Sequence, residues 1–184
     1  MAMGIDTATP FQPVSIAVLT VSDTRTPDTD KSGDILVNRI TDAGHVLANR
    51  GIVTDDIALI AKQIIDWSRS DHIDVIITTG GTGLTGRDVT PEALQQIMDK
   101  PIEGFGEAFR MMSYQKIGTS AMQSRAMACV VNGVYVFALP GSPSACRDGW
   151  DELLSFQLDI RHKPCNFVEI MPRLMEQGVG GRSG

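Results

Sequence analysis

The sequence predicts an α/β fold, a mainly parallel sheet covered by helices on both faces, on three observations. Runs of strand formers alternate with segments of helical spacing, the pattern of parallel strands joined by crossover helices. VSIAVLTV (Val14–Val21) and DVIITT (Asp74–Thr79) are rich in apolar and β-branched residues, as strands covered on both faces require. Three strand ends open into polar or glycine-rich loops, Ser22–Gly33, Gly80–Asp88 and Pro140–Ser142.

Taken in order, the first strand gives way to SDTRTPDTDKSGD and then to a helix over Asp34–Ala43, with Ile35, Leu36 and Ile40 inward and Gly44 as its stop. HVLANRGIV (His45–Val53) predicts the second strand. Thr54 or Asp55 is placed to cap a helix in which Ile57, Ile60, Ala61, Ile64 and Ile65 recur at helical spacing. After the third strand and its glycine loop, Thr90 and Pro91 suit the cap and first turn of another helix. Phe105–Gln115 reads as helix. MACVV and VYVFAL flank Asn132-Gly133, a hairpin signal that makes at least one strand antiparallel. Ser142 and Pro143 then open a last helix reaching about Ile160. Residues 1–13 are expected to be a disordered lead-in, 14–170 one domain, and 171–184 a loose glycine-rich tail.

Composition narrows the function. The formal charge is −6 and no basic run of five or more occurs, which argues against nucleic acid as a partner. No apolar run approaches the ~20 residues of a membrane span, and the N-terminal segment lacks the features of a secretion signal. Three cysteines without CxxC spacing suit free thiols in a reducing cytoplasm. His45, His72 and His162 are scattered, with no acid or nucleophile at a recognisable spacing. Cys146, one turn into the last helix, reads as a buried small residue.

The chemistry concentrates in TTGGTGLTGRDVTPEAL (Thr78–Leu94), with four glycines from Gly80 to Gly86. Each glycine costs about 0.5–1 kcal/mol relative to alanine in regular structure, so the backbone there must turn tightly or approach something closely. Gly81–Gly86 spells G-x-G-x-x-G, but Arg87-Asp88-Val89-Thr90 intervene before the helix, and helix rather than strand follows. Arg87-Asp88 also stands where a phosphate-binding Walker loop has Lys and Ser/Thr. Successive N–H groups of such a turn form an anion cradle to which threonine hydroxyls add donors; a tight turn for close packing is the plainer alternative. Asp88, beside that cradle, would repel a phosphate unless a divalent cation joined them, and Mg²⁺ is commonly held by one or two carboxylates plus substrate oxygens. Asp55 is a candidate second ligand, or a simple helix cap. Asp23 and Asp30 suit turn chemistry in the first loop. In open α/β sheets ligands bind beyond the carboxyl ends of the strands, where these three loops meet.

TTGGTGLTGRDVTPEAL, PIEGFGEAFR, IGTSAMQSRA, FALPGSPSACRDGW and RHKPCNF, in this order over Val14–Phe167, resemble the molybdopterin-binding family that includes molybdopterin adenylyltransferase and the gephyrin G domain. GFGEAFRMMSYQKIGTS and PCNF look like its B-type branch. The resemblance implies a three-layer αβα fold and a homotrimer or homohexamer. It implies molybdopterin as ligand and, in the adenylyltransferase branch, transfer of AMP from Mg²⁺-ATP to its terminal phosphate with release of pyrophosphate, without a tightly held organic cofactor. The family's catalytic acids align on Asp55 and Asp88, which are also the implied metal ligands. Its molybdopterin and nucleotide cradles align on Ser22, Asp23, Gly80, Gly81, Thr82, Gly83, Pro140, Gly141 and Ser142. The intact Arg87-Asp88-Val89-Thr90 favours an active enzyme; a non-catalytic molybdopterin carrier is the alternative.

Overall fold

The computed structural model describes residues 4–176. Eight strands and seven α-helices follow in chain order among them. The strands are β1 (Gly4–Ile5), β2 (Ser15–Val21), β3 (Val46–Val53), β4 (Val75–Thr79), β5 (Lys100–Pro101), β6 (Met127–Val131), β7 (Val134–Leu139) and β8 (His162–Lys163). The helices are α1 (Lys31–Asp42), α2 (Ile57–Ser68), α3 (Thr90–Ile97), α4 (Glu103–Ile117), α5 (Pro143–Gly149), α6 (Ser155–Gln157) and α7 (Phe167–Ile170). Six strands form one sheet in the order β3-β2-β4-β7-β6-β5. β3, β2, β4 and β7 are parallel; the β6–β7 hairpin and the two-residue β5 make that side antiparallel.

Side chains of a strand alternate between faces, and β2 shows what this does with an unbroken apolar run. Ile16 and Val18 enter one core with Leu36 and Ile40 of α1, Phe105 and Phe109 of α4, and Trp150. Ala17, Leu19 and Val21 enter the other with Ile60 and Ile64 of α2 and Leu94 of α3. The result is three layers, helix–sheet–helix, as expected. Each fully buried Ile, Leu or Phe contributes about 1.5–3 kcal/mol, so both faces must be covered for the central strands to be stable.

Several boundaries differ from expectation. α1 begins at Lys31, because Asp30 caps it: its carboxylate accepts from Gly33 N at 3.0 Å. The cap of α2 is Asp56, which accepts from Leu59 N at 2.9 Å, so neither Thr54 nor Asp55 is spent there. Thr90 is the first helical residue of α3 and not its cap; its hydroxyl donates to Gly80 O at 2.9 Å. The last helix is interrupted by a π-helical stretch, Trp150–Leu154.

The lead-in expected to be disordered is in part structured. Gly4–Ile5 pairs antiparallel with His162–Lys163, and Phe11 packs against His45 with Arg161 over its ring. These apolar anchors are too sparse to form a period, which is why the sequence hides them. Past residue 170, Met171 and Leu174 still pack against the core; residues 177–184 of the expected tail lie outside the described residues. No helix among the described residues is long and apolar enough to cross a membrane.

Candidate functional site

The carboxyl ends of β2, β4 and β7 bring the three polar loops to one edge. Gly80 sits at their junction: φ is +104°, its N–H donates to Leu139 O at 3.1 Å, and a Cβ there would collide with the Val21 carbonyl. A Cβ on Gly141 would lie 3.2 Å from Gly80 Cα, so the turn after β7 rests directly on the turn after β4. Ser32, at the start of α1, donates its hydroxyl to Gly141 O at 2.9 Å and ties the first loop into the same junction.

The glycine loop meets carboxylates. A side chain on Gly81 (φ +64°) would lie 3.2 Å from Asp55 Oδ1, and one on Gly83 2.8 Å from Asp88 Oδ2. At Gly81 the nearer obstacle to such a Cβ is Thr90 Oγ1, and at Gly83 it is the Asp88 carboxylate, so both positions need glycine apart from any role in holding an anion. The structure thus brings Asp55 and Asp88, far apart in sequence, to the same four-residue turn.

Their environments differ. Asp88 Oδ2 accepts from Thr85 N at 2.8 Å and Thr85 Oγ1 at 2.6 Å. Partial burial pushes its carboxyl up, but the bonds from Thr85 and from Gly83 N–H outweigh this and hold it below the usual aspartate value. Asp55 is raised above that value by burial first and by Asp23 next, with Asp88 adding to the effect. Asp23 is bound to protein groups: Arg87 grips it with Nε and Nη2, both at 2.8 Å, and Asp55 N donates to it at 3.2 Å. That grip depresses the Asp23 carboxyl. Asp23 therefore joins the first loop to the glycine loop and to the end of β3.

Ser22 accepts from Thr24 N and Arg25 N, both at 3.2 Å, and lines a cavity of about 220 Å³ with Thr20, Arg25, Ser32 and Gly141. A second cavity, of about 370 Å³, is lined by Gly80–Gly83, Asp88 and Pro140–Ser142, with Ser113 and Ile117 of α4 and Gln123-Ser124 beyond it. Gly141 borders both. Together they form a crevice of the size that small-molecule ligands occupy. The contribution of α4 and of the segment after it was not anticipated, because no local motif marks residues that reach a site by packing alone. Arg125 in that segment makes three contacts with the glycine loop and its surroundings. The three histidines line neither cavity.

No group of three or more His, Cys, Asp or Glu suited to a metal occurs among the described residues. Asp55 and Asp88 offer hard oxygen ligands only, which fits Mg²⁺ arriving with substrate phosphates to complete its shell. They do not form a free-standing metal centre. Cys129 and Cys146 are buried, and burial raises their thiols to about 12 and about 11, which removes them as nucleophiles at neutral pH.

A three-layer α/β domain with a crevice of glycine turns and hydroxyls at the carboxyl ends of its parallel strands defines a class of small-ligand-binding protein. Within that class the chain belongs to the family described as "Probable molybdopterin binding domain", whose profile matches residues 17–160. It is 47% identical over 160 residues to molybdenum cofactor biosynthesis protein B of Escherichia coli (strain K12), covering 87% of this chain and 94% of that protein. The protein of the same name from Bacillus cereus is 44% identical over 142 residues, covering 77% and 84%. A crystal structure of a molybdenum cofactor biosynthesis protein B superposes with TM-score 0.81 at 40% identity, covering 90% of this chain and 98% of that one. The tungsten cofactor synthesizing protein of Pyrococcus furiosus gives TM-score 0.70 at 34% identity, covering 80% and 93%.

Proposed function

We propose that this protein acts in molybdenum cofactor biosynthesis: it binds molybdopterin in the crevice and adenylates its terminal phosphate with Mg²⁺-ATP, releasing pyrophosphate. The observation that carries this is Asp88 in the wall of the larger of two adjoining cavities, with Asp55, which lines neither, against Gly81 of the same glycine turn. The attacking group is a phosphate oxygen already anionic at neutral pH, so the absence of histidine from the crevice is no obstacle. That oxygen bonds to the α-phosphorus of ATP as the bond to the β-phosphate oxygen breaks.

The protein's task is to hold two anionic groups in line and offset their repulsion. Backbone N–H groups of Gly81 and Thr82 and the Ser142 turn would bind phosphate oxygens, and Arg25, in the wall of the smaller cavity, adds positive charge. Bound Mg²⁺ would supply charge neutralisation, with Asp88 and Asp55 as the protein ligands. Thr85 keeps Asp88 ionised and fixes its orientation, which suits a ligand that must be ready before the nucleotide arrives.

The test is to mix the purified protein with molybdopterin and ATP, with and without Mg²⁺, and measure adenylated molybdopterin and pyrophosphate. Magnesium-dependent product is expected. Asp88→Asn should retain molybdopterin binding and lose adenylation by about 10²-fold or more; wild-type turnover in that variant would sink the assignment. One observation favours the carrier alternative: Asp88 Oδ2 already accepts two bonds from Thr85, as a purely loop-stapling residue would. A carrier would bind molybdopterin with no response to ATP. A homotrimer or homohexamer is part of the same proposal, supported by exposed Met111, Tyr114, Ile117 and Met122 on α4 and the turn after it. Free thiols are in keeping with a cytoplasmic location.

A further inference from the structure

The glycine loop carries no helix cap, and the Thr85–Asp88 bonds close its tip only upon itself. Val89, the cap position of α3, makes no side-chain capping bond, a Cβ on Gly86 would meet nothing within 4 Å, and Leu84 is largely exposed. Something else must hold it. One residue from a distant segment takes three of its carbonyls. Arg125 N donates to Thr82 O at 3.0 Å, Nε to Gly83 O at 2.7 Å, and Nη2 to Asp88 O at 2.6 Å. The remaining arm of the guanidinium pairs with Glu92 in the first turn of α3.

In a trans peptide the C=O and the following N–H point in opposite directions. Holding the Thr82 and Gly83 carbonyls therefore aims the N–H groups of Gly83 and Leu84 away from Arg125. The Gly83 N–H is one of the donors that lower the Asp88 carboxyl. Holding Asp88 O fixes the other end of the same loop.

We propose that Arg125 is the positioning residue of the site: its planar, forked guanidinium staples both ends of the Gly83–Asp88 loop. The staple sets the direction of the Leu84 N–H and the place of the Asp88 carboxylate, while the main-chain N–H of Arg125 holds Thr82 O whatever the side chain. Lysine, with one compact ammonium, cannot serve these acceptors in their separate directions. The role of Arg125 in turnover rests on the crevice being an adenylyl-transfer site; its role in ordering the loop does not.

The experiment compares wild type, Arg125→Lys, Arg125→Gln and, as a control, Arg110→Lys, whose guanidinium donates to Ala126 O outside the crevice. Amide hydrogen exchange, melting temperature, and kcat and KM for adenylation are measured on the full chain. In Arg125→Lys, exchange at Leu84, Thr85 and Asp88 should rise roughly tenfold or more while the sheet exchanges as in wild type. kcat should fall about 10–100-fold with KM for ATP little changed; Arg125→Gln should do the same and Arg110→Lys neither.

Wild-type loop exchange and wild-type kcat in Arg125→Lys would overturn the proposal. So would exchange rising uniformly through the sheet, or failure of both Arg125 variants to fold, since a local staple is not needed for the whole domain. Should wild type itself make no adenylated molybdopterin, the adenylation assignment fails separately, and the loop exchange decides the staple.

Discussion

Two turns at the same edge of the sheet start from one plan and are held in different ways. β4 and β7 are adjacent and in register, Thr79 opposite Leu139, and each runs into a Gly-containing turn and then a helix with proline in its first turn. After β7 the helix begins almost at once: Ser142 caps α5 by accepting from Ala145 N at 3.2 Å, and no charged side chain is involved. After β4 ten residues intervene, two glycines take positive φ, the helix has no side-chain cap, and two aspartates press on the backbone. That loop is held by groups from elsewhere: Thr90 across its neck to Gly80 and Gly81, Arg87 to Asp23, and Arg125 from beyond α4. The turn after β7 is braced from elsewhere by hydroxyls alone, Ser32 to Gly141 O and Thr79 to Pro140 O, whereas the longer, charged loop takes two arginine contacts as well.

The comparison can be broken most severely at Gly80. Gly80→Ala combines left-handed strain of about 1–3 kcal/mol with a collision against the Val21 carbonyl, so urea denaturation should show a large loss of stability. Gly86→Ala, in the same loop, should stay within about 0.5 kcal/mol of wild type. Equal losses at the two positions would mean the loop is uniformly strained and the contrast is wrong.

Ser142→Ala tests the turn after β7. Loss of the cap should cost about 1 kcal/mol and leave hydrogen exchange in the glycine loop as it was. Spread of the effect into residues 81–88 would show that the two turns are coupled through the Gly80–Gly141 contact.

The smallest effects are expected in the pH dependence. Asp88 titrates below its unfolded value, so its contribution is present above pH about 3.9 and is lost as pH falls through the folded value. Asp88→Asn should remove that part of the acid limb of stability. Asp55 has the opposite sign: its folded value is raised, so ionising it at neutral pH works against folding. Asp55→Asn should therefore raise the melting temperature at pH 7 slightly while lowering adenylation. A fall in melting temperature would show that the Asp55 carboxylate is stabilised by something other than the contacts described.

Much of the fold was legible locally. The unbroken apolar runs marked central strands, and Asn132-Gly133 marked the hairpin, with Asn132 at φ +51° and Gly133 at φ +78°. Helix starts were less legible, because three consecutive residues, Thr54, Asp55 and Asp56, can all cap. Only the observed cap at Asp56 releases Asp55 for the site. The short β1 was missed because two residues pairing with a remote strand leave no period. The glycines at 81 and 83 were read as room for a phosphate, yet the room they make is first of all for Thr90 Oγ1 at Gly81 and for the Asp88 carboxylate at Gly83.

The sequence by itself determined the alternation of strands and helices and the faces each buries, because periodicity is a property of the backbone repeat and needs no distant partner. It also determined that charge and glycine would gather at the strand ends. Only the tertiary structure decided that Asp55 stands beside Asp88, that Asp23 is taken by Arg87, and that Arg125 holds the loop between them. Those contacts join residues widely separated along the chain, and the parallel sheet and the helices packed on it set where such residues meet.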